Sequence, residues 1–366
     1  MDDARIATRA DEDAIAGVRN LLVNVGGVKA GAKLLIVNAR GGGVEPEVSD
    51  LIEREALTMG ALVDVMWTDN ARALEEISPV VAAAYKTADV TIFNHRIGAI
   101  VRFLPRERGT FVINYAWTRA LLASPMARTH PAYWTEMLKK LHPALGRAKS
   151  WRVTCPNGTD LSCPIEPGAA PAHAVAGGQT FSTAEFPAGV FVPLDALECS
   201  GKLAMRWFNV SGVRYFDPVQ KSFDDVVIAT VDKGRMTKID GKPATVAAVR
   251  AFFDAIGKRV NKDPYVINSW HAGVNASAVP TERLDEDIDA WMWVAHNHPR
   301  VAHFHVMGED VPGEYSLIVL DPTIEIDGEK LWDRGTFAFA GKPEVQSAIA
   351  KFGDPAFALT KPAIGF

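Results

Sequence analysis

The sequence is poor in cysteine, with three residues of this type in 366, namely Cys155, Cys163 and Cys199. An odd number in a chain of this length does not indicate a disulfide framework, and the spacing matches no zinc-binding pattern. We interpret all three as reduced thiols, which favours a cytoplasmic location.

Long apolar runs and an excess of positive charge are also absent. No uncharged run approaches the ~18 residues of a membrane span, and the acidic residues 1–5 lack the apolar core of a signal peptide. The net charge of −5 and the pI near 6.0 give no electrostatic footprint for nucleic acid or an anionic membrane. We therefore expect neither nucleic acid nor a membrane among the partners.

Common motifs for nucleotide binding and covalent catalysis are missing as well. Glycines occupy positions 41–43, but the stretch ARGGGVEP fits neither G-x-G-x-x-G nor a Walker loop. A turn before a helix starting near Pro46 explains these glycines. The chain has no G-x-S-x-G elbow and no cysteine beside a histidine motif, so covalent nucleophilic catalysis is not indicated.

Residues 1–150 alternate between strand and helix patterns. Apolar strand patterns occur at 33–37, 61–67, 89–93 and 110–114. Helical patterns occur at 14–23, 48–59, 79–87 and 134–145. This alternation predicts an α/β domain over 1–150 with a mainly parallel sheet covered on both faces.

The pattern changes near residue 150, and a chain of 366 residues is long enough for two domains. Antiparallel strand patterns follow, with hairpin turn signals at Asn157-Gly158 and Asp327-Gly328 and one strong helix at 244–256. The stretch 168–187 is rich in Gly, Ala and Pro, which predicts a surface loop or lid. We predict a β-rich α+β domain over 151–366.

Histidine is concentrated in this second half, where five of the nine lie between positions 271 and 305. His303 and His305 belong to an apolar strand pattern, and alternation places both imidazoles on one face. His271 lies at a strand end before a Gly/Asn loop, a usual place for a functional side chain. Glu314 precedes the next strand pattern.

Imidazole is the commonest neutral metal ligand near pH 7, and adjacent antiparallel strands can bring several together. We predict His271, His303, His305 and Glu314 as metal ligands, with His271 and Glu314 as catalytic residues. Two histidines and a carboxylate would leave positions for substrate and oxygen at ferrous iron, whereas three histidines with water would suit hydrolysis at zinc or manganese. The alternative for the His-x-His pair is two half-buried rings that bond to the backbone.

Other candidates in this region have simpler interpretations. His296 and His298 follow a helical pattern, and helix residues two apart do not share a face, so we expect them at the helix end as caps or solvated residues. Core packing is the default for the large aromatic residues, although they could also line a pocket; these are Trp270, Trp291, Trp293, Trp332 and Phe304.

Several short motifs resemble the aminopeptidase T-like metallopeptidase superfamily. The stretch PNGTDL at 156–161 is similar to the Gly-Thr-Asp-Leu motif at the junction of its two domains. The segments 21–37, 187–189 and 322–328 resemble its opening helix and strand, its Pro-x-Gly turn and its closing hairpin. The similarity covers most of the chain and implies an α/β domain followed by a β-rich metal-binding domain.

Departures from the peptidase pattern resemble the 2,5-dihydroxypyridine 5,6-dioxygenase branch, which uses mononuclear non-haem iron. Val190 stands where the peptidases have a glutamate after the turn, and His271 replaces a glutamate before the glycine-rich loop. The branch has a His-x-Asp pair ahead of the closing hairpin, where this chain has Glu314. One possibility is that Glu314 replaces that histidine as a ligand and that His303 or His305 is a further ligand. The other is that the His303–His305 pair has itself taken over the ligand role.

The resemblance implies a ring-opening dioxygenase that acts on a small hydroxylated aromatic or heteroaromatic compound. We expect Fe(II) as the metal, with Zn or Mn as alternatives, and a homo-oligomer. Arg214 or Arg334 could recognise an acidic group, and Trp270 or Phe304 could form a wall against a flat ring. The alternatives are a metal-dependent hydrolase acting on an amide or aryl C–N bond, and a binding protein that retains the fold.

Overall fold

The computed structural model describes residues 2–102, 104, 109–165, 183–212, 214–310 and 312–366. Most of the loop predicted at 168–187 lies outside these residues. The last residues of this stretch are described, and they form a strand, Thr183–Phe186, rather than a loop. The helices are α1 (Asp2–Arg19), α2 (Pro46–Thr58), α3 (Pro79–Thr87), α4 (Ile97–Val101), α5 (Arg119–Ala123), α6 (Pro125–Arg128), α7 (Pro131–Leu145), α8 (Pro243–Val260), α9 (Ile288–Ala295) and α10 (Pro343–Ile349). A π-helix, Asn20–Val25, continues α1.

The first sheet is parallel, as the alternation of strand and helix patterns predicts. Its strands are β1 (Lys33–Ala39), β2 (Leu62–Thr68), β3 (Val90–Asn94), β4 (Thr110–Asn114) and β7 (Thr183–Phe186), in the order β2-β1-β3-β4-β7. Side chains of alternate residues in β1 pack into two different hydrophobic cores. Leu34 packs in the same core as Ile52 of α2, while Leu35 lies in a core with Tyr85 of α3. Burial on both faces explains the continuous apolar runs.

The second sheet is large and antiparallel. Its strands are β5 (Ser150–Thr154), β6 (Asp160–Pro164), β8 (Leu194–Asp195), β9 (Ser200–Val210), β10 (Gln220–Asp232), β11 (Arg235–Asp240), β12 (Ile267–Ala272), β13 (Val301–Val306), β14 (Tyr315–Leu320), β15 (Thr323–Ile326) and β16 (Glu329–Trp332). The order is β16-β15-β5-β6-β9-β14-β13-β12-β8, with β10 and β11 attached at β9. The predicted fold class, an α/β part followed by a β-rich part, is confirmed.

The chain crosses between the two sheets at β7. This strand follows β6 in sequence but pairs in parallel with β4, so a segment from the second predicted range completes the first sheet. The boundaries 1–150 and 151–366 therefore stay a prediction. No helix among the described residues is long and apolar enough to cross a membrane.

A buried chain of asparagines joins the carboxyl ends of three parallel strands. Asn114 donates from Nδ2 to Asn94 Oδ1 at 2.7 Å, and Asn94 donates to Asn38 Oδ1 at 2.8 Å. Asn38 in turn donates to Ser49 Oγ at 2.9 Å. All three amides are fully buried. These hydrogen bonds therefore fix the ends of β3 and β4, which are followed by Arg96 and Tyr115.

Candidate metal centre

Three imidazoles meet on one face of the second sheet because of the β12–β13 register. His271 lies opposite His303, and Ser269 lies opposite His305 in this antiparallel pair. Side chains that are directly opposite share a face, and so do residues two apart on one strand. The predicted His-x-His pair and the predicted strand-end histidine therefore converge.

The three rings are close enough to share one ion. One ligand atom from each of His271, His303 and His305 lies within 4.8 Å of the others. The Nε2 atoms of His271 and His303 are 2.5 Å apart, below the ~2.7–3.2 Å of ordinary N–H hydrogen bonds. All three side chains are at most 9% exposed. We call this group the imidazole triad.

Hydrogen bonds fix the tautomers of two of these rings. His271 Nδ1 lies 2.8 Å from the carbonyl oxygen of Phe191, which can only accept, so Nδ1 carries the proton and Nε2 keeps its lone pair. Ser269 Oγ donates to Asn268 Oδ1 at 2.7 Å, so it accepts from His305 Nδ1 at 2.8 Å. Asn268 is oriented by its own donation to the Gly308 carbonyl at 2.7 Å. Acceptors of this kind hold metal-ligating histidines in position.

The protonation states of the triad also fit a cation. Burial lowers the pKa of His271 to about 3. Burial, followed by the charges of neighbouring rings, holds the pKa of His303 well below its usual value, and burial does the same for His305. Buried His303 Nδ1 has no hydrogen-bond partner. Three neutral nitrogen donors in one buried cluster suit a divalent transition ion.

Glu314, the predicted carboxylate ligand, lies apart from the triad. It stands just before β14, and its Oε1 accepts from Lys262 Nζ at 3.0 Å. The carboxylate is buried at 3% exposure and is not among the atoms that converge with the imidazoles. The described residues thus bring together three of the four predicted ligands, and an ion pair holds the fourth.

A cavity of about 520 Å³ opens against the triad between the two halves of the chain. Its volume lies in the ~300–1,000 Å³ range of small-molecule sites. The second sheet contributes the triad with Asn209 and Ser316, and the first half contributes Arg96, Arg102 and Tyr115.

Two expectations about the cavity walls are wrong. Arg214 and Arg334 are exposed and do not line the cavity. Trp270 and Phe304 are fully buried against Trp151, because each neighbours a triad residue in sequence and so points to the opposite sheet face. The aromatic walls come instead from Phe191, Tyr115, Tyr215 and Trp293.

His296 is a site residue that the sequence patterns did not predict. It caps α9, as expected, with Nδ1 lying 2.8 Å from the Met292 carbonyl oxygen. It is partly exposed, and its ring lines the cavity, with its centre 6.3 Å from that of His303. His298 is not solvated, since it is completely buried. Only the helix-end position could have been inferred from sequence.

Solved structures with this fold include a dioxygenase and an aminopeptidase. The first is 2,5-dihydroxypyridine dioxygenase from Pseudomonas putida KT2440, with a TM-score of 0.61, 13% identity, and coverage of 90% of this chain and 98% of that chain. The second is wild-type AmpT from Thermus thermophilus, with a TM-score of 0.50, 12% identity, and coverage of 88% and 98%. The fold resemblance inferred from short motifs is confirmed.

No family model and no curated protein matches the sequence. At 12–13% identity the structural likeness concerns the fold alone. Function must therefore be argued from the site itself.

Proposed function

We propose that this protein is a mononuclear metal-dependent dioxygenase that opens the ring of a small hydroxylated aromatic or heteroaromatic compound. The observation that carries the proposal is the convergence of His271, His303 and His305 on one wall of a ligand-sized cavity. The fold shared with a dioxygenase over 98% of that chain supports it.

In this proposal the imidazole triad holds one divalent ion, Fe(II). When bound, the ion supplies a Lewis acid that favours the anionic form of a substrate hydroxyl, and as iron it supplies redox chemistry with oxygen. The Phe191 carbonyl and Ser269 keep His271 and His305 in the tautomers that leave Nε2 available. These contacts position the donors before any ligand arrives.

His296 is placed to accept the proton that a substrate hydroxyl releases. Its Nδ1 proton is committed to the Met292 carbonyl, so Nε2 carries the lone pair, and burial lowers the pKa of His296 to about 4, which keeps the ring neutral and able to accept. Its ring packs edge-on against Tyr115, with centroids 4.9 Å apart. The aromatic side chains around it form an apolar wall that suits a flat ring.

The remaining features of the proposal extend the sequence-based expectations. We propose a small aromatic substrate as the partner, with no nucleic acid, and a cytoplasmic homo-oligomer. Zn or Mn remains an alternative occupant, because three imidazoles are also a donor set for zinc.

A metal-dependent hydrolase is the second candidate, and one observation favours it. No carboxylate of the described residues joins the triad, and three histidines with a bound water form a known hydrolytic arrangement. The fold shared with AmpT agrees with this alternative. Its substrate would carry an amide or an aryl C–N bond.

Isotope labelling separates the two reactions. Fe(II)-loaded protein is incubated with candidate hydroxylated rings under ¹⁸O₂, and in parallel in H₂¹⁸O under ordinary oxygen. The dioxygenase proposal expects oxygen consumption and two ¹⁸O atoms from ¹⁸O₂ in a ring-opened product. Label from water alone, without oxygen consumption, would establish the hydrolase instead.

A further inference from the structure

The cavity floor beside the imidazole triad carries two polar side chains that the metal centre does not use. In the sheet register His305 of β13 lies opposite Ser316 of β14, and Ser316 lies opposite Asn209 of β9. Side chains at directly opposite positions share a sheet face, so both lie on the face that carries the triad. Both residues also line the cavity. The polar row therefore extends from the triad across two further strands.

Asn209 is buried without a hydrogen-bond partner for its carbonyl oxygen. The residue is 7% exposed, and no described residue donates to its Oδ1 atom. Nearly all buried polar atoms in proteins are hydrogen-bonded, so an unpaired one in a residue that lines a cavity indicates a role in binding. A carboxamide can accept at Oδ1 and donate at Nδ2. Its hydrogen-bonding capacity is therefore left for a bound molecule.

Ser316 supplies a hydroxyl between Asn209 and the triad. The residue is 5% exposed, and its Oγ atom forms no hydrogen bond with any described residue. Ser211 also lines the cavity, but its Oγ donates to the Gly313 carbonyl. The hydroxyl of Ser211 is committed to the protein, whereas that of Ser316 is left for a ligand.

The positions of these two side chains match the size of a single ring. Neighbouring strands are about 5 Å apart, so the backbones of Ser316 and Asn209 lie about 5 Å and 10 Å from that of His305. A ring that approaches the triad with one hydroxyl can therefore reach them with a group on its far edge. Since a hydroxyl and a carboxamide carry no formal charge, they suit a neutral group.

We propose that Ser316 and Asn209 select the substrate by hydrogen-bonding a second, uncharged O–H or N–H group of the ring. That group donates to Asn209 Oδ1, and Ser316 Oγ lies beside the same edge of the ring. This inference rests on the proposed function and adds to it the residues that recognise the substrate.

Ligand-observed NMR with matched neutral probes tests the assignment. The pairs are 1,4-dihydroxybenzene with 4-methylphenol and 1,3-dihydroxybenzene with 3-methylphenol, in which a methyl group replaces one hydroxyl. Dissociation constants are measured without oxygen on protein loaded with redox-inert Zn(II), so that no turnover is needed. We expect the dihydroxy probe of at least one pair to bind at least about fivefold more tightly, since leaving a buried acceptor unpaired costs affinity.

Variants of the two residues show whether they cause the preference. Asn209→Leu, which has a similar size without the polar atoms, should remove the preference, and Ser316→Ala should reduce it. Ser211→Ala is the matched control, because it deletes a cavity hydroxyl that is committed to Gly313, and it should keep the wild-type preference. If Asn209→Leu does not fold, the wild-type probe pairs and Ser316→Ala still decide the matter.

The outcomes separate this inference from the proposed function. Equal affinity within both pairs, binding of no probe by protein with one bound zinc, or an unchanged preference in Asn209→Leu overturns the inference and leaves the proposed metal site standing. Protein that binds no zinc overturns the proposed function, and the assignment of the recognition residues falls with it.

Discussion

Removing the hydroxyl of Ser269 should weaken metal binding without touching a ligand. Ser269 Oγ accepts a hydrogen bond from Nδ1–H of His305 and donates its own hydrogen bond to Asn268 Oδ1. In Ser269→Ala, His305 loses the acceptor that holds its ring and its tautomer. Contacts of this kind contribute about 10–100-fold to metal affinity, which corresponds to roughly 1.4–2.7 kcal/mol.

The assay is competition for Zn(II) between the purified protein and a chromogenic chelator at pH 7.5. Ser277→Ala is a closely matched control, because Ser277 is also buried and also donates to a neighbouring amide oxygen, that of Asn275. Among the described residues, the hydrogen bonds of Ser277 are to Asn275 and none is to an imidazole. Unfolding measured without metal reports the structural cost of each change separately.

We expect Ser269→Ala to lose about 10–100-fold in zinc affinity and Ser277→Ala to stay near the wild-type value. Equal affinities in the two variants would refute the reasoning, because they would show that His305 needs no acceptor to serve as a ligand.

Three further predictions concern Glu314, the asparagine chain and acid stability. Glu314→Gln should leave metal stoichiometry unchanged by elemental analysis but lower the unfolding free energy by about 1–3 kcal/mol, because it removes a charged hydrogen-bond partner of Lys262; loss of metal would instead make Glu314 a ligand. Asn94→Ala should cost about 1–3 kcal/mol in urea unfolding, since it leaves buried groups of both neighbouring asparagines unsatisfied; a neutral effect would contradict this. Burial lowers the pKa of His95 to about 4 from 6.5, so its contribution to stability is complete above about pH 6.5 and is lost as the pH falls towards 4. Metal-free His95→Gln should therefore show a shallower loss of stability over this range, by up to about 1.4 kcal/mol per pH unit; identical slopes would contradict the burial argument.

The convergence of the triad could be predicted because it depends on local periodicity. The period of two in β13 places His303 and His305 together, and pairing with the neighbouring strand brings in His271. The same period explains why Trp270 and Phe304 do not form the expected cavity wall, since a residue adjacent to a ligand on a strand points to the opposite face of the sheet.

Contacts between distant segments could not be predicted in this way. Lys262 lies 52 positions before Glu314 and forms an ion pair with its carboxylate. No local sequence pattern indicates this contact. Arg102 reaches the cavity from the other half of the chain, whereas Arg214 and Arg334, the arginines suggested by the sequence, are exposed. The parallel sheet was predictable, but its fifth strand, β7, returns from beyond β6.

X-ray absorption at the zinc edge of the loaded protein tests the triad most directly. The account predicts one zinc per chain with three imidazole ligands at about 2.0–2.1 Å, and loss of this signal in folded His303→Ala. A zinc environment without imidazole, or one that His303→Ala leaves unchanged, would contradict it.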